Sequence, residues 1–332
     1  MNIRRTSAAV AAIAAMTALA ACGNDNGDNG GNGDAGNGEG EELTFVTGGT
    51  AGTYYPLGGE LSDIIEANTD ATVNYVESGG SGDNLGQIYN EEAQLGLSQN
   101  DTAALAVNGE LPELEGVELD NFGWIANLYP EAMHIIVRAD SDIESVEDLE
   151  GRTIAVGDAG SGTRVISDAI LEAHGIGEGD YTAEVTDFGT STEMLADGQI
   201  DATMFVVGVP VAGLTQLAGT TDVELLDIED SMAEEIAGGG DFEAYEITAD
   251  SYDFLEEDVT TISVFAALVA STTEVSEDLG YEITAAIFDN ADQITLDVGE
   301  SIALEEALNG IGSVPLHPGA ERYYEEQGLD LP

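Results

Sequence analysis

Residues 43–56 read LTFVTGGTAGTYYP, and residues 153–163 read TIAVGDAGSGT. Each stretch starts as a short run of β-formers, passes into a Gly/Thr/Ser loop, and leads into a segment of helical periodicity. After the first loop, Leu57, Leu61, Ile64 and Ile65 fall on one helical face, and Pro56 suits the first turn of that helix. The unit then recurs. Residues 71–76 predict a second strand, followed by the loop 77–82 and a helix from near Asp83; residues 94–98 predict a third strand, leading into Gln99, Asn100 and Asp101. The second stretch is followed in the same way by a helix ending at His174 and Gly175. A strand over 183–186, the loop 188–192, a helix to Asp197 and Gly198, and a strand over 202–206 then complete the copy. Gly48 and Gly79 stand 31 residues apart, and Gly157 and Gly189 stand 32 apart.

Strands alternating with helices predict parallel α/β sheets. A pattern present twice predicts two similar lobes, because a solenoid needs at least three repeats. The apolar segments 134–137 and 262–270 are placed to carry the chain from one lobe to the other and back. Lobe I is then expected to comprise 43–134 plus 266–332, and lobe II 135–265. Two crossings make a hinge, and two lobes facing across a hinge make a clamshell. The loops lie at the carboxyl ends of the strands, where open α/β sheets bind ligands.

Composition narrows the chemistry. The chain has 332 residues with 66 Asp and Glu against 6 basic residues, a formal net charge of −60. All six are arginines, so chemistry that needs a lysine amine is excluded, and nucleic acid would be repelled by the polyanion. Acids spread along the whole chain point to a high-salt setting, where a Debye length of roughly 3 Å at 1 M screens their repulsion. Residues 1–21 read as an export signal: Arg4 and Arg5, then an apolar run over 8–21 too short to span a bilayer. They end in Leu19-Ala20-Ala21-Cys22, which looks like a bacterial lipobox, and Cys22 is the only cysteine. The expectation is an exported protein, lipid-anchored through Cys22 on the outer face of the cytoplasmic membrane. That face is the cell surface, or the periplasm where an outer membrane exists. Residues 22–42, Cys22 and an acidic Gly/Asn tract, read as a disordered tether.

Catalytic signatures are incomplete. The loop 157–163 has phosphate-loop spacing with Thr163 in the lysine position, and Asp83 and Ala159 stand where Gly-x-Ser-x-Gly motifs around Ser81 and Ser161 need glycine. No Cys/His pattern has zinc spacing, so neither a metal nor a cofactor is expected. Helix N-termini remain as the means of holding an anion without cationic side chains.

The segment 47–56 resembles the N-terminal signature of the TAXI family, solute receptors of TRAP-type secondary transporters. Residues 149–163 (LEGRTIAVGDAGSGT), 197–202 (DGQIDA) and 317–324 (HPGAERYY) match in order, so the resemblance covers 43–332. It implies a type II periplasmic-binding-protein-like fold and a non-enzymatic receptor. Such a receptor captures a small organic anion, such as glutamate, 2-oxoglutarate or a similar dicarboxylate, for a TRAP permease. Ligand contacts are then expected from Thr50, Gly52, Thr53, Tyr54, Tyr55, Ser78, Ser81, Asn84, Gln99, Asn100, Gly160, Ser161, Gly162, Thr163 and Phe205. Arg164 is read as a surface counter-ion, with an anion contact as the alternative. Two other readings stay open: an ABC-type receptor of the same fold for a sulfonate or thiamine-precursor-like ligand, and a surface-anchored enzyme or adhesive lipoprotein.

Overall fold

The structure, a computed structural model, describes residues 40–332 apart from positions 115, 239 and 241. The export signal 1–21, the lipid site Cys22 and the tether through residue 39 lie outside the described residues. The first half runs β1 (Glu42–Val46), α1 (Tyr54–Asn68), β2 (Thr72–Val76), α2 (Ser81–Tyr89), β3 (Leu95–Gln99), α3 (Asn100–Asn108) and β4 (Phe122–Arg138). The second runs β5 (Thr153–Ala155), α4 (Gly162–Ala173), β6 (Thr182–Glu184), α5 (Phe188–Ala196), β7 (Ala202–Val207), α6 (Ala212–Ala218), β8 (Val223–Leu225) and α7 (Asp230–Ala237). β9 (Glu243–Ile247), β10 (Val259–Ser271), α8 (Glu277–Asp289) and α9 (Pro318–Gln327) complete the chain.

The repeat seen in the sequence is the repeat of the fold. The strands join one sheet in the order β2-β1-β3-β10-β4-β7-β5-β6, with β8 added on β4 and β9 on β10. One expectation needs correction, since the sheet is mixed rather than parallel. β10 runs antiparallel to β3 in lobe I, and β4 runs antiparallel to β7 in lobe II. The cause is topological: each crossing strand enters the far lobe from its ligand edge and therefore runs against the strands already there. The two crossing strands also pair with each other from Phe122 to Ala132, with register shifts at Ala266/Ala267 and Leu268/Val269.

Helices cover both faces of each half. In lobe I, Leu57, Leu61 and Ile65 of α1 pack with Ile283 and Ile287 of α8 and Tyr324 of α9, while Leu85, Ile88 and Trp124 lie in a second core. In the second half, Ile166 and Ile170 of α4 share a core with Met133, Ile135 and Val137 of the crossing strand β4, whereas its Ala132 and Ile136 join Phe188 and Leu214 on the opposite face. The alternation along β4 is the two-residue period of a strand buried on both sides. Each fully buried Leu or Ile contributes about 1.5–3 kcal/mol over exposure. Among the described residues no helix is long and apolar enough to cross a membrane.

Candidate functional site

Because α1, α2, α4 and α5 each follow a strand of the parallel part, all four begin at the cleft. Their starts, the ends of β3 and β7 and the middle of β4 line a cavity of about 90 Å3. Gly48, Gly49, Gly52, Thr53, Tyr54, Ser78, Gly79, Gly80, Ser81, Gln99 and Glu131 line it on one side. Asp158, Ser161, Gly162, Thr163, Asp187, Phe188, Phe205, Val206 and Val207 line the other. The lobes touch around it. The Gly160 carbonyl accepts from the N–H groups of Gly82 (2.9 Å) and Asp83 (3.2 Å), and the Thr53 hydroxyl accepts from Gly208 N–H (3.1 Å). A Cβ on Gly82 would come within 2.8 Å of the Gly160 carbonyl, so this contact requires glycine.

Ten of the fifteen expected contact residues line the cavity: Gly52, Thr53, Tyr54, Ser78, Ser81, Gln99, Ser161, Gly162, Thr163 and Phe205. The other five stand elsewhere. Thr50 is exposed at its loop tip, and Tyr55 packs its ring against Tyr75 at 5.2 Å. Asn84 is buried behind the wall and donates to the carbonyls of Thr47 (2.7 Å) and Leu97 (2.6 Å), tying β1 to β3. Asn100 Oδ1 accepts from Phe265 N–H (2.8 Å), and Gly160 forms the interlobe bridge. Ser161 caps α4, accepting from Arg164 N–H, and Thr163 Oγ1 accepts from Val206 N–H. Arg164 points its guanidinium at Asp168 (2.8 Å) and lies outside the cavity, as expected for a surface counter-ion.

The largest omission of the sequence reading is Glu131. It sits on β4 at 2% exposure, at the floor of the cavity. Its Oε2 accepts from Tyr54 OH (3.1 Å) and Gln99 Nε2 (3.0 Å), and its Oε1 from Tyr129 OH (2.9 Å). Burial raises its pKa to about 7, against the three donors that pull it down. Burial likewise raises Tyr54 and Tyr129 well above the usual phenol range, so both remain donors. A signal was present: Glu131 is the one acid in the mostly apolar run 122–137. It is visible only once that run is known to be a strand buried on both faces.

Asp158, Asp187 and Phe188 were also missed as cavity residues. Asp187 caps α5 through Thr190 N–H (2.9 Å), and Asp158 Oδ1 accepts from Ala159 N–H (2.8 Å). Among the described residues no arginine or histidine lines the cavity. Arg138, Arg152, Arg164 and Arg322 are engaged with Asp140, Asp142, Asp168, Glu277 and Asp278 at the surface. Among the described residues no group of acids and histidines could hold a metal ion.

This bilobal arrangement is the fold of periplasmic binding proteins. A solved periplasmic transporter structure matches at a TM-score of 0.53, with 14% identity over 86% of this chain and 92% of that one. PhnD1 from Prochlorococcus marinus, solved in complex with methylphosphonate, matches at 0.52 with 12% identity, covering 88% and 99%. A protein from Bordetella bronchiseptica matches at 0.51 with 18% identity, covering 87% and 83%. The chain belongs to the NMT1-like family, whose model matches residues 45–328.

Proposed function

We propose that this protein is an extracytoplasmic solute-binding receptor that closes its two lobes over a small organic anion and delivers it to a membrane permease. The observation that carries this reading is the cavity itself. It lies between lobes already bridged by Gly82, Asp83 and Gly160, and by Thr53 and Gly208, and helix starts from both lobes line it. A helix start offers free N–H groups and a partial positive charge, which holds a carboxylate without a cationic side chain. The TAXI resemblance supports a TRAP-type permease driven by an ion gradient, with glutamate or a related carboxylate as cargo. The Cys22 lipid anchor and export from the cytoplasm rest on the leader sequence.

The test is thermal unfolding in molar salt against carboxylates, amino acids, sulfonates and sugars. A solute at about 100 times its Kd adds about 2.7 kcal/mol, a shift of several degrees. A selective shift without chemical turnover is the expected result; turnover of the solute would replace the receptor reading with an enzymatic one. Uptake into vesicles bearing the partner permease separates transporter types. An imposed ion gradient suffices for a TRAP system, whereas dependence on ATP would assign the protein to an ABC system.

A further inference from the structure

We infer that Glu131 and Gln99 form an ammonium-recognising end of the cavity, so that the captured solute is an amino acid and not the corresponding oxo acid. The inference rests on the receptor reading and narrows its substrate class. Charge is the first argument. Among the described residues the lining carries Glu131, Asp158 and Asp187 and no cationic side chain, so a dianion enclosed there would have only helix starts to offset those carboxylates. A zwitterion adds no net charge.

Hydrogen-bond capacity is the second. Asp187 and Asp158 are occupied with backbone N–H groups at their own loops. Glu131 accepts three bonds, and an ionised carboxylate offers roughly four acceptor sites. Beside it, Gln99 is 3% exposed, and its Oε1 is buried without a hydrogen-bond partner while its Nε2 donates to Glu131. An unpartnered buried acceptor therefore stands beside a carboxylate with about one acceptor site to spare. An ammonium group brings three donors, whereas a keto or carboxylate oxygen brings none. The solute carboxylate is then left to the starts of α1 and α4, and Phe188 and Phe205, with ring centroids 4.4 Å apart, wall the side chain.

This arrangement ties affinity to pH. Tyr54 of α1, Tyr129 of β4 and Asp101 of α3 act on Glu131 from around it, and Asp158 and Asp187 lie across the cavity. His134, three residues along β4, is held near a pKa of about 4 by burial and stays neutral above pH 6. With Glu131 near 7 in the unliganded protein, an ammonium draws it into the ionised form and a proton is released. Amino-acid affinity should rise about tenfold from pH 6 to pH 8, since the fraction of ionised Glu131 rises by that factor.

The experiment uses the full chain in molar salt and three matched pairs: alanine and pyruvate, valine and 2-oxoisovalerate, glutamate and 2-oxoglutarate. Calorimetry at pH 6 and pH 8 reads affinity and the proton count. The expected result is that an amino acid binds at least about tenfold tighter than its oxo acid, with proton release at pH 6. Glu131→Gln should erase both the preference and the pH dependence. Its unliganded melting temperature controls for folding, and the wild-type proton count stands without the variant. Equal binding of oxo and amino acids, or proton uptake on binding, overturns the inference and leaves the receptor reading standing. So does binding confined to a sulfonate or sugar. A flat response to every solute, with none carried through purification, overturns both.

Discussion

Two buried titratable groups sit three residues apart on β4 and behave in opposite ways. His134 is 1% exposed and complete: Nδ1 donates to the Ala132 carbonyl (2.9 Å), and Nε2 meets Tyr252 OH (2.8 Å), which also accepts from Val211 N–H (3.0 Å). It ties the crossing strand to the segment after β7 and leaves no polar capacity over. Glu131 is as deeply buried, yet it faces a cavity and stands beside the partnerless Gln99 Oε1. The contrast separates structure from function. A buried polar group whose bonds all close inside the protein holds the fold, and one with capacity left over holds something else.

The sharpest way to break the comparison is pH-dependent stability of the unliganded protein. Glu131 is raised to about 7, so the folded state binds the extra proton between roughly pH 4.5 and 7 and stability falls as pH rises through that window. His134 is lowered to about 4, so the unfolded state binds the extra proton between roughly 4 and 6.5, and stability is lost as pH falls. Each effect is on the order of 3 kcal/mol at 1.36 kcal/mol per unit, and the two oppose each other between pH 4.5 and 6.5. Denaturant melts of Glu131→Gln should show stability rising across that range, and those of His134→Gln should show it falling. Parallel slopes in the two variants would mean that the groups do not differ as described.

A smaller effect is expected at Gly162. A Cβ there would come 1.7 Å from Gln99 Oε1, so Gly162→Ala must displace the amide that faces Glu131. Solute affinity should fall at least about tenfold, or about 1.4 kcal/mol, with little change in the melting temperature of the unliganded protein. Titration with the solute found in the thermal screen measures this, and unchanged affinity would detach Gln99 from the site. The smallest effect belongs to Arg164. Its pair with Asp168 is part-exposed, with side-chain exposures of 31% and 41%. Arg164→Gln should therefore move stability by less than about 0.5 kcal/mol and leave solute affinity unchanged in the same titration.

Much of the fold was legible because its signals are local. β-formers, a glycine-rich loop and a helical stripe recur within about thirty residues, and most predicted strands and helices agree with the structure to within a few residues at their ends; the exception is 188–192, expected as a loop, which is the first half of α5 because Asp187 caps that helix. Ten cavity residues were legible for the same reason, since they sit in those loops or on the strands and helix starts beside them. Tyr55 and Asn84, expected from the resemblance, lie off the cavity: one residue past Tyr54 the side chain turns toward Tyr75, and Asn84 turns inward to bridge two strands.

The sequence by itself determined the repeated α/β unit, the two crossings, the acidic surface and the glycine loops, all carried by neighbours along the chain or by composition. The direction of the crossing strands, the closing contact of Gly82 and Asp83 with Gly160, and the selection of Glu131 from 66 acids were decided only in three dimensions. The reason is physical. Burial, field and hydrogen-bond capacity at Glu131 are set by Tyr54 and Gln99, which lie 77 and 32 residues away along the chain, and only the folded sheet brings them to one point.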